Sequence, residues 1–219
     1  MNQCNNGWIE ETIESNQTLP AVFDYDPTAD PVTEIIATLK TLSLVKEERG
    51  QNTRIIMSAI AKLGLEKFRY SCYTNRIGKC KFNIVEPPHH YFTTREWLYD
   101  LIWFEDDEKS GEEYSIKSLP LALESEWDFS RNKAKIKGVS YAAVKYDLQK
   151  LVVCNASLKV MIFREYAEKG GEKLKKMSEY IDTLLAEYKP KVNGQFLCIA
   201  YSPDMKSFKY KLFCPQEEK

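Results

Sequence analysis

The chain has 219 residues, of which 43% are apolar, 12% aromatic and 29% charged, and its formal net charge at pH 7 is −1. Nine glycines and nine prolines exclude a collagen-like or low-complexity chain, and 13 tyrosines with 10 phenylalanines argue against intrinsic disorder. No stretch approaches the roughly 20 apolar residues of a membrane span, and the amino end lacks the basic start and apolar stretch of a signal peptide. We therefore expect a soluble, cytoplasmic, globular protein with no membrane partner.

The sequence predicts one domain preceded by an arm. Residues 1–29 are polar and interrupted by prolines, which predicts a loosely packed amino-terminal arm. Neither an internal repeat nor a linker divides residues 30–219, so this part is predicted to be a single domain. Its core is expected over about residues 53–165, followed by a carboxyl-terminal helix and hairpin over 171–213.

Apolar residues recur at helical or alternating spacing along the domain. The elements predicted in chain order are helices over 30–48 and 53–68, strands in FRYSCYT and KCKFNIV, strands over 95–105 and 118–127, a helix over 140–156, a strand over 158–163, a helix over 171–188 and a hairpin over 194–213. Asp30 can cap the first helix, and Pro31 fits its first turn. This order predicts an α/β or α+β fold, with a mixed sheet flanked by helices.

The cysteines and histidines give no metal-site pattern. A structural zinc site needs closely spaced ligand pairs, and this chain has none. We therefore expect reduced, structural cysteines. His89 and His90 follow two prolines, which is typical of an exposed turn. The six cysteines are Cys4, Cys72, Cys80, Cys154, Cys198 and Cys214.

The small net charge conceals an asymmetry along the chain. Residues 1–130 carry 13 Lys and Arg against 22 Asp and Glu, whereas residues 131–219 carry 18 against 10. The basic part begins with a cluster of four cations, Arg131, Lys133, Lys135 and Lys137. Such a cluster can attract the phosphate backbone of a nucleic acid, and a solvated lysine-rich loop is the alternative interpretation.

Three carboxylates lie on two segments that are otherwise apolar. Read as pleated strands, REWLYDLIWFE places Asp100 between apolar neighbours on one face, and SLPLALESEW places Glu124 and Glu126 together on one face. Burying an ionised carboxylate is costly unless a cation or hydrogen bonds compensate it.

A divalent cation is one reason to gather such groups. Mg²⁺ takes oxygen ligands, usually one or two carboxylates with waters and substrate phosphate oxygens, and it can polarise a phosphoryl group and lower the pKa of a bound water. The alternative interpretation is structural: Asp100 forms a salt bridge or caps a turn, and Glu126 lies in solvent at the strand end.

These residues resemble a known family. From REWLYDLIWF through LPLALESEW to YDLQKLVVCNASLKVMIF, the chain resembles the nuclease core of the PD-(D/E)XK superfamily, the restriction-endonuclease-like fold, over about residues 53–165. That core has a helix, strands that carry an aspartate and then a (D/E)xK element, a helix and a further strand. Asp100 matches the motif aspartate and Glu124 the first member of (D/E)xK. Glu126 stands where lysine is usual, an ExE variant found in some restriction endonucleases of this fold.

The resemblance implies roles for these residues. Asp100 and Glu124 would bind Mg²⁺, with Mn²⁺ as a substitute, and Glu126 would orient or deprotonate the attacking water or help to hold a second metal. Lysine can move to the following helix in this superfamily, where Lys150 is the candidate. An exposed helical lysine, or a pair with Asp147 across one turn, is the alternative.

Three functions follow from these observations. The leading hypothesis is a Mg²⁺-dependent nuclease that hydrolyses phosphodiester bonds in nucleic acid, with DNA as the expected partner and homodimer formation as an option. The second is a nuclease-like fold without catalysis that acts as a binding or interaction module, for which the missing lysine is the main support. The third is an unrelated enzyme whose carboxylates do acid/base work, such as glycoside hydrolysis, which requires carboxylates across an open cleft.

Overall fold

A computed structural model of the chain describes residues 7–14, 19–45, 48–74, 92–93, 98–106, 116–127, 142–165, 177–188 and 193–214. The elements in chain order are β1 (Ile9–Thr12), α1 (Pro31–Lys40), α2 (Arg49–Glu66), β2 (Ser71–Thr74), β3 (Phe92–Thr93), β4 (Leu101–Asp106), β5 (Ile116–Glu126), α3 (Ala142–Val153), β6 (Leu158–Arg164), α4 (Met177–Tyr188), β7 (Gln195–Tyr201) and β8 (Ser207–Phe213).

The strands form one mixed sheet. Its order, within the described residues, is β1-β8-β7-β6-β5-β4-β2-β3. The central strands β5, β6 and β7 are parallel, while β4 and β8 run antiparallel to their neighbours on either side. The connection from β5 to β6 passes through α3, as parallel neighbours require. The predicted mixed α/β fold is confirmed.

Each face of the sheet is covered by helices. Alternation along β5 sends Leu121 and Leu123 into a core shared with α1 and α2, whereas Ala122 enters a second core shared with α3 and α4. Because both faces are covered, β6 is apolar almost throughout and is buried from Leu158 to Phe163.

Local sequence signals explain how α1 begins and ends. The Asp30 carboxylate accepts a hydrogen bond from the backbone N–H of Thr33, and Pro31 occupies the first turn, as predicted. The helix ends at Lys40, well before residue 48, because the Thr41 N–H and hydroxyl both turn back to the Thr38 carbonyl. The predicted length of this helix was therefore too great.

Helix α2 lies close to the sheet at a glycine. A Cβ atom at Gly64 would come within 2.3 Å of the Trp103 indole nitrogen, so only glycine allows this approach. The same indole N–H donates to the Ile60 carbonyl at 3.1 Å. A buried hydrogen bond thus joins α2 to β4, and it requires glycine at position 64.

The described residues of the predicted amino-terminal arm contact the domain at two places. Strand β1 pairs antiparallel with β8, from Ile9 opposite Tyr210 to Thr12 opposite Ser207. Farther along, the Lys62 ammonium donates to the carbonyls of Pro20 and Ala21. Polar composition does not reveal these contacts, because their partners lie far away in the sequence.

The remaining predictions fare differently. Cys72, Cys154 and Cys198 are buried free thiols, as expected, but Cys214 is disulfide-bonded, so the prediction of uniformly reduced cysteines was wrong there. The cysteine bonded to Cys214 lies outside the described residues. The predicted KCKFNIV strand and the histidine pair also lie outside them. Helix α3, strand β6 and the terminal hairpin are close to their predicted bounds. None of the helices in the described part of the chain is long and apolar enough to cross a membrane.

Candidate functional site

Asp100 lies immediately before β4. The prediction that placed it inside a strand was wrong. Its carboxylate oxygen Oδ2 accepts hydrogen bonds from the Ser125 backbone N–H at 3.0 Å and from the Ser125 hydroxyl at 3.3 Å. Asp100 is only 7% exposed. These bonds fix the carboxylate across the end of the β4–β5 pair.

Glu124 lies beside this aspartate. In the β4–β5 register, Leu101 is opposite Leu123. Because these strands are antiparallel, the next pair of facing positions is Asp100 and Glu124. Glu124 is 3% exposed, and alternation directs its side chain to the face covered by α3. The two acids therefore meet at the carboxyl end of β5.

Helix α3 supplies a cation to this pair of acids. The Lys150 ammonium lies 2.5 Å from Glu124 Oε1 and 3.0 Å from Asp147 Oδ1. Asp147 is one helical turn before Lys150, so the pairing predicted between them is present. The contact with Glu124 joins α3 to the sheet and was not predicted.

Burial and neighbouring charge control the protonation of these groups. Burial raises the pKa of Glu124 to about 8, and the negative charges of Asp100 and Asp147 act in the same direction, while Lys150 opposes them. Burial lowers the pKa of Lys150, but the hydrogen bonds and charges of Glu124 and Asp147 outweigh it, so the net shift is upward. The carboxylates are crowded enough to favour a cation beside them.

Glu126 is the last residue of β5 and pairs with Phe163 of β6. Strand alternation places it on the same face as Glu124, about 7 Å farther along the backbone. Unlike Glu124, it is only partly buried. It therefore lies at the end of β5 and is more exposed than Glu124.

Asp100 and Glu124 can supply part of the coordination that a divalent cation requires. Asp100 and Glu124 together offer the one or two carboxylates that Mg²⁺ usually takes from a protein, and their mutual repulsion would be relieved by a cation. Among the described residues, however, no group of three or more Asp, Glu, His or Cys side chains is arranged to hold a metal. Any cation here would need water or substrate oxygens for its remaining ligands.

Other residues near the acids were not recognised from the sequence. Tyr99 is 7% exposed, hydrogen-bonded to Cys154 and close to Glu124; burial and these neighbours raise its pKa. Tyr146 on α3 is 67% exposed, with the Lys150 ammonium 5.8 Å from its ring centroid. The signal available in the sequence was their adjacency to Asp100 and Asp147.

The predicted phosphate-binding cluster Arg131, Lys133, Lys135 and Lys137 lies outside the described residues. Its expected role therefore stays a prediction. The last residues described before it are Glu126, which ends β5, and Trp127, which packs in the core shared with α1 and α2.

Comparison with known proteins gives this chain no relatives: no family model, no curated protein and no solved structure matches it.

Proposed function

We propose that the chain is a metal-dependent nuclease that hydrolyses phosphodiester bonds of nucleic acid, with DNA as the first substrate to test. The observation that carries this proposal is the position of Lys150. The ExE element has Glu126 where the family usually has lysine. Helix α3 carries Lys150, whose ammonium lies 2.5 Å from Glu124. Two acids and one cation are thus grouped at a strand end.

The order of elements supports the same proposal. Helix α2, strands β2, β4 and β5, helix α3 and strand β6 follow one another as the resemblance implies for a nuclease core, with the two-residue β3 inserted. In addition, β5 and β6 are parallel neighbours joined through α3. Because a fold hosts many functions, this order supports the proposal only together with the site.

The chain's own residues have distinct tasks in the proposed reaction. Asp100 is anchored by the Ser125 N–H, and Glu124 is fixed in β5 beside it. Lys150, held by Asp147, can stabilise the negative charge that develops on the phosphate as water attacks in line. Glu126, at the end of β5, can orient that water or accept its proton.

A bound Mg²⁺ or Mn²⁺ would be held by Asp100 and Glu124, with water or substrate oxygens as its remaining ligands, and would supply positive charge at the phosphate oxygens.

The proposal is tested by the cleavage of supercoiled plasmid and of single-stranded oligonucleotides with Mg²⁺ or Mn²⁺. Wild type is compared with Asp100→Asn and Glu124→Gln, each checked for folding. The matched control is Glu105→Gln, which removes an exposed carboxylate of β4 that accepts from the Ser118 hydroxyl. We expect metal-dependent cleavage by wild type and control, and a loss of about a hundredfold or more in the two site variants.

Cleavage that persists in both site variants would place the activity elsewhere. No cleavage by wild type on any of these substrates would favour the second candidate function, a nuclease-like module that binds without catalysis. One observation favours that alternative. The Lys150 ammonium already contacts Glu124, as it would in a purely structural pair. Mn²⁺ binding that requires Asp100 argues against it.

The remaining parts of the proposal concern partners and location. Homodimer formation would let two sites cut opposite strands of a duplex, and sedimentation of the purified chain tests it.

The cytoplasmic location stays a prediction, and the Cys214 disulfide opposes it because disulfides are rare in that compartment. Thiol counting on protein extracted under acid quench tests whether this disulfide exists in cells.

A further inference from the structure

Two large apolar side chains remain exposed beside the candidate site. Leu98 is 64% exposed, two residues before Asp100, and Tyr146 is 67% exposed, one residue before Asp147. Most aromatic side chains of the described structure are buried, such as Trp103 and Phe104 two and three positions along β4 from Leu101. Among the described aromatic side chains, only Tyr146 and Tyr25 are exposed.

Tyr146 is connected to the acids through Lys150. The ammonium lies 5.8 Å from the centroid of the Tyr146 ring and 2.5 Å from Glu124 Oε1. The cation is thus shared between an aromatic face and a buried carboxylate. A nucleotide whose phosphate contacted Lys150 would have its adjoining groups near the Tyr146 ring.

We infer that Tyr146 is a stacking platform for an unpaired base of the substrate, so that the proposed nuclease prefers single-stranded or locally unpaired nucleic acid over an intact duplex. Within a duplex, each base has both faces covered by its neighbours. A base that leaves the stack can lie on an exposed aromatic ring, and such contacts contribute about 1–3 kcal/mol per base. Leu98 offers apolar surface on the approach to Asp100.

This inference rests on the proposed function for its substrate, but it is tested by binding rather than by cleavage. The measurement is the fluorescence anisotropy of a labelled 12-nucleotide single strand, and of the same sequence as a duplex, in EDTA at fixed ionic strength. The variants are Tyr146→Ala and Tyr146→Phe. The matched control is Val153→Ala, which shortens another exposed apolar side chain of α3, 83% exposed and two turns away.

We expect Tyr146→Ala to weaken single-strand binding by about 5- to 150-fold, the range that corresponds to 1–3 kcal/mol. Tyr146→Phe retains the ring and should remain within about twofold of wild type, as should Val153→Ala. Duplex binding, which depends on phosphate contacts, should change little with any of the three.

The outcomes separate this inference from the proposed function. If wild type cleaves and Tyr146→Ala binds single strands normally, the nuclease stands and the stacking platform is overturned. If wild type never cleaves but the single-strand preference disappears in Tyr146→Ala, the nuclease fails and the platform stands. Equal weakening of single-strand and duplex binding, or no nucleic-acid binding by wild type, overturns the platform.

Discussion

Two lysine–glutamate pairs, each with a buried glutamate, lie on opposite faces of the sheet and differ in what surrounds them. On α2, Lys62 and Glu66 are each 8% exposed and lie 3.9 Å apart. Lys62 donates to the carbonyls of Pro20 and Ala21, and Glu66 accepts from the Phe23 N–H. The pair therefore attaches the amino-terminal arm to the domain through backbone groups.

The second pair, Lys150 and Glu124, has a different environment. Its lysine is shared between two acids, Glu124 and Asp147, and a third acid, Asp100, lies beside them. An aromatic ring adjoins the lysine of each pair, Phe23 at 5.9 Å from Lys62 and Tyr146 at 5.8 Å from Lys150, but Tyr146 is exposed whereas Phe23 is half-buried. The neighbours of the second pair are thus charged or exposed side chains rather than backbone groups of an adjacent segment.

The comparison shows that burial of an ion pair does not by itself indicate function. The first pair is bonded to backbone groups of the amino-terminal arm, which suits a structural role, although Glu66 Oε1 is buried without a hydrogen-bond partner among the described residues. In the second pair, burial and the nearby negative charges raise the pKa of Glu124. Shifted pKa values of this kind are common at functional sites. The predictions below separate the two pairs, from the largest expected effect to the smallest.

Lys62→Met should lower the free energy of unfolding by about 3–5 kcal/mol, because it removes the partner of buried Glu66 and leaves two carbonyls without their donor. Cleavage per folded molecule should be unchanged. The control is Lys67→Met, which breaks the more exposed pair with Glu34 and should cost about 1 kcal/mol or less. Denaturant titration measures both. Equal costs for the two variants would show that the arm is not held by Lys62.

Lys150→Met should reduce the rate of cleavage by about a hundredfold, because the phosphate loses its stabilising cation. Lys150→Arg, which keeps the charge, should recover part of the rate. Lys145→Met, on the same helix, serves as the control. Single-turnover rates at saturating protein separate this effect from weaker binding. If Lys150→Met lost stability but kept its rate, Lys150 would be a structural cation like Lys62.

The stability of the metal-free protein should depend on pH through Glu124. Its pKa is about 8 in the folded chain and near 4.5 in the unfolded chain, so between these values the folded state binds the additional proton. The contribution of Glu124 to stability is therefore greatest below pH 4.5 and falls as the pH rises, by at most about 1.4 kcal/mol per pH unit until about pH 8. Glu124→Gln should remove this slope, and chemical denaturation in EDTA at several pH values measures it. Parallel profiles for wild type and variant would contradict the shift.

The sequence allowed the fold class and the inward orientation of Glu124 to be predicted, because alternation and helical spacing are local patterns. It did not reveal that Lys150 bonds to Glu124, since that contact depends on where α3 crosses β5. Lys159 is a similar case. It is fully buried within β6 and donates to the Asn193 carbonyl, a partner 34 positions away. Long-range polar contacts of this kind have no local signature.

The most direct test of the account is the titration of Mn²⁺ into wild type, Asp100→Asn, Glu124→Gln and Glu105→Gln, followed by calorimetry. Wild type and Glu105→Gln should bind the ion alike, and either substitution in the site should weaken binding by about tenfold or more. Equal binding by all four proteins, or no binding by wild type, would contradict the assignment of Asp100 and Glu124 to a metal-dependent site.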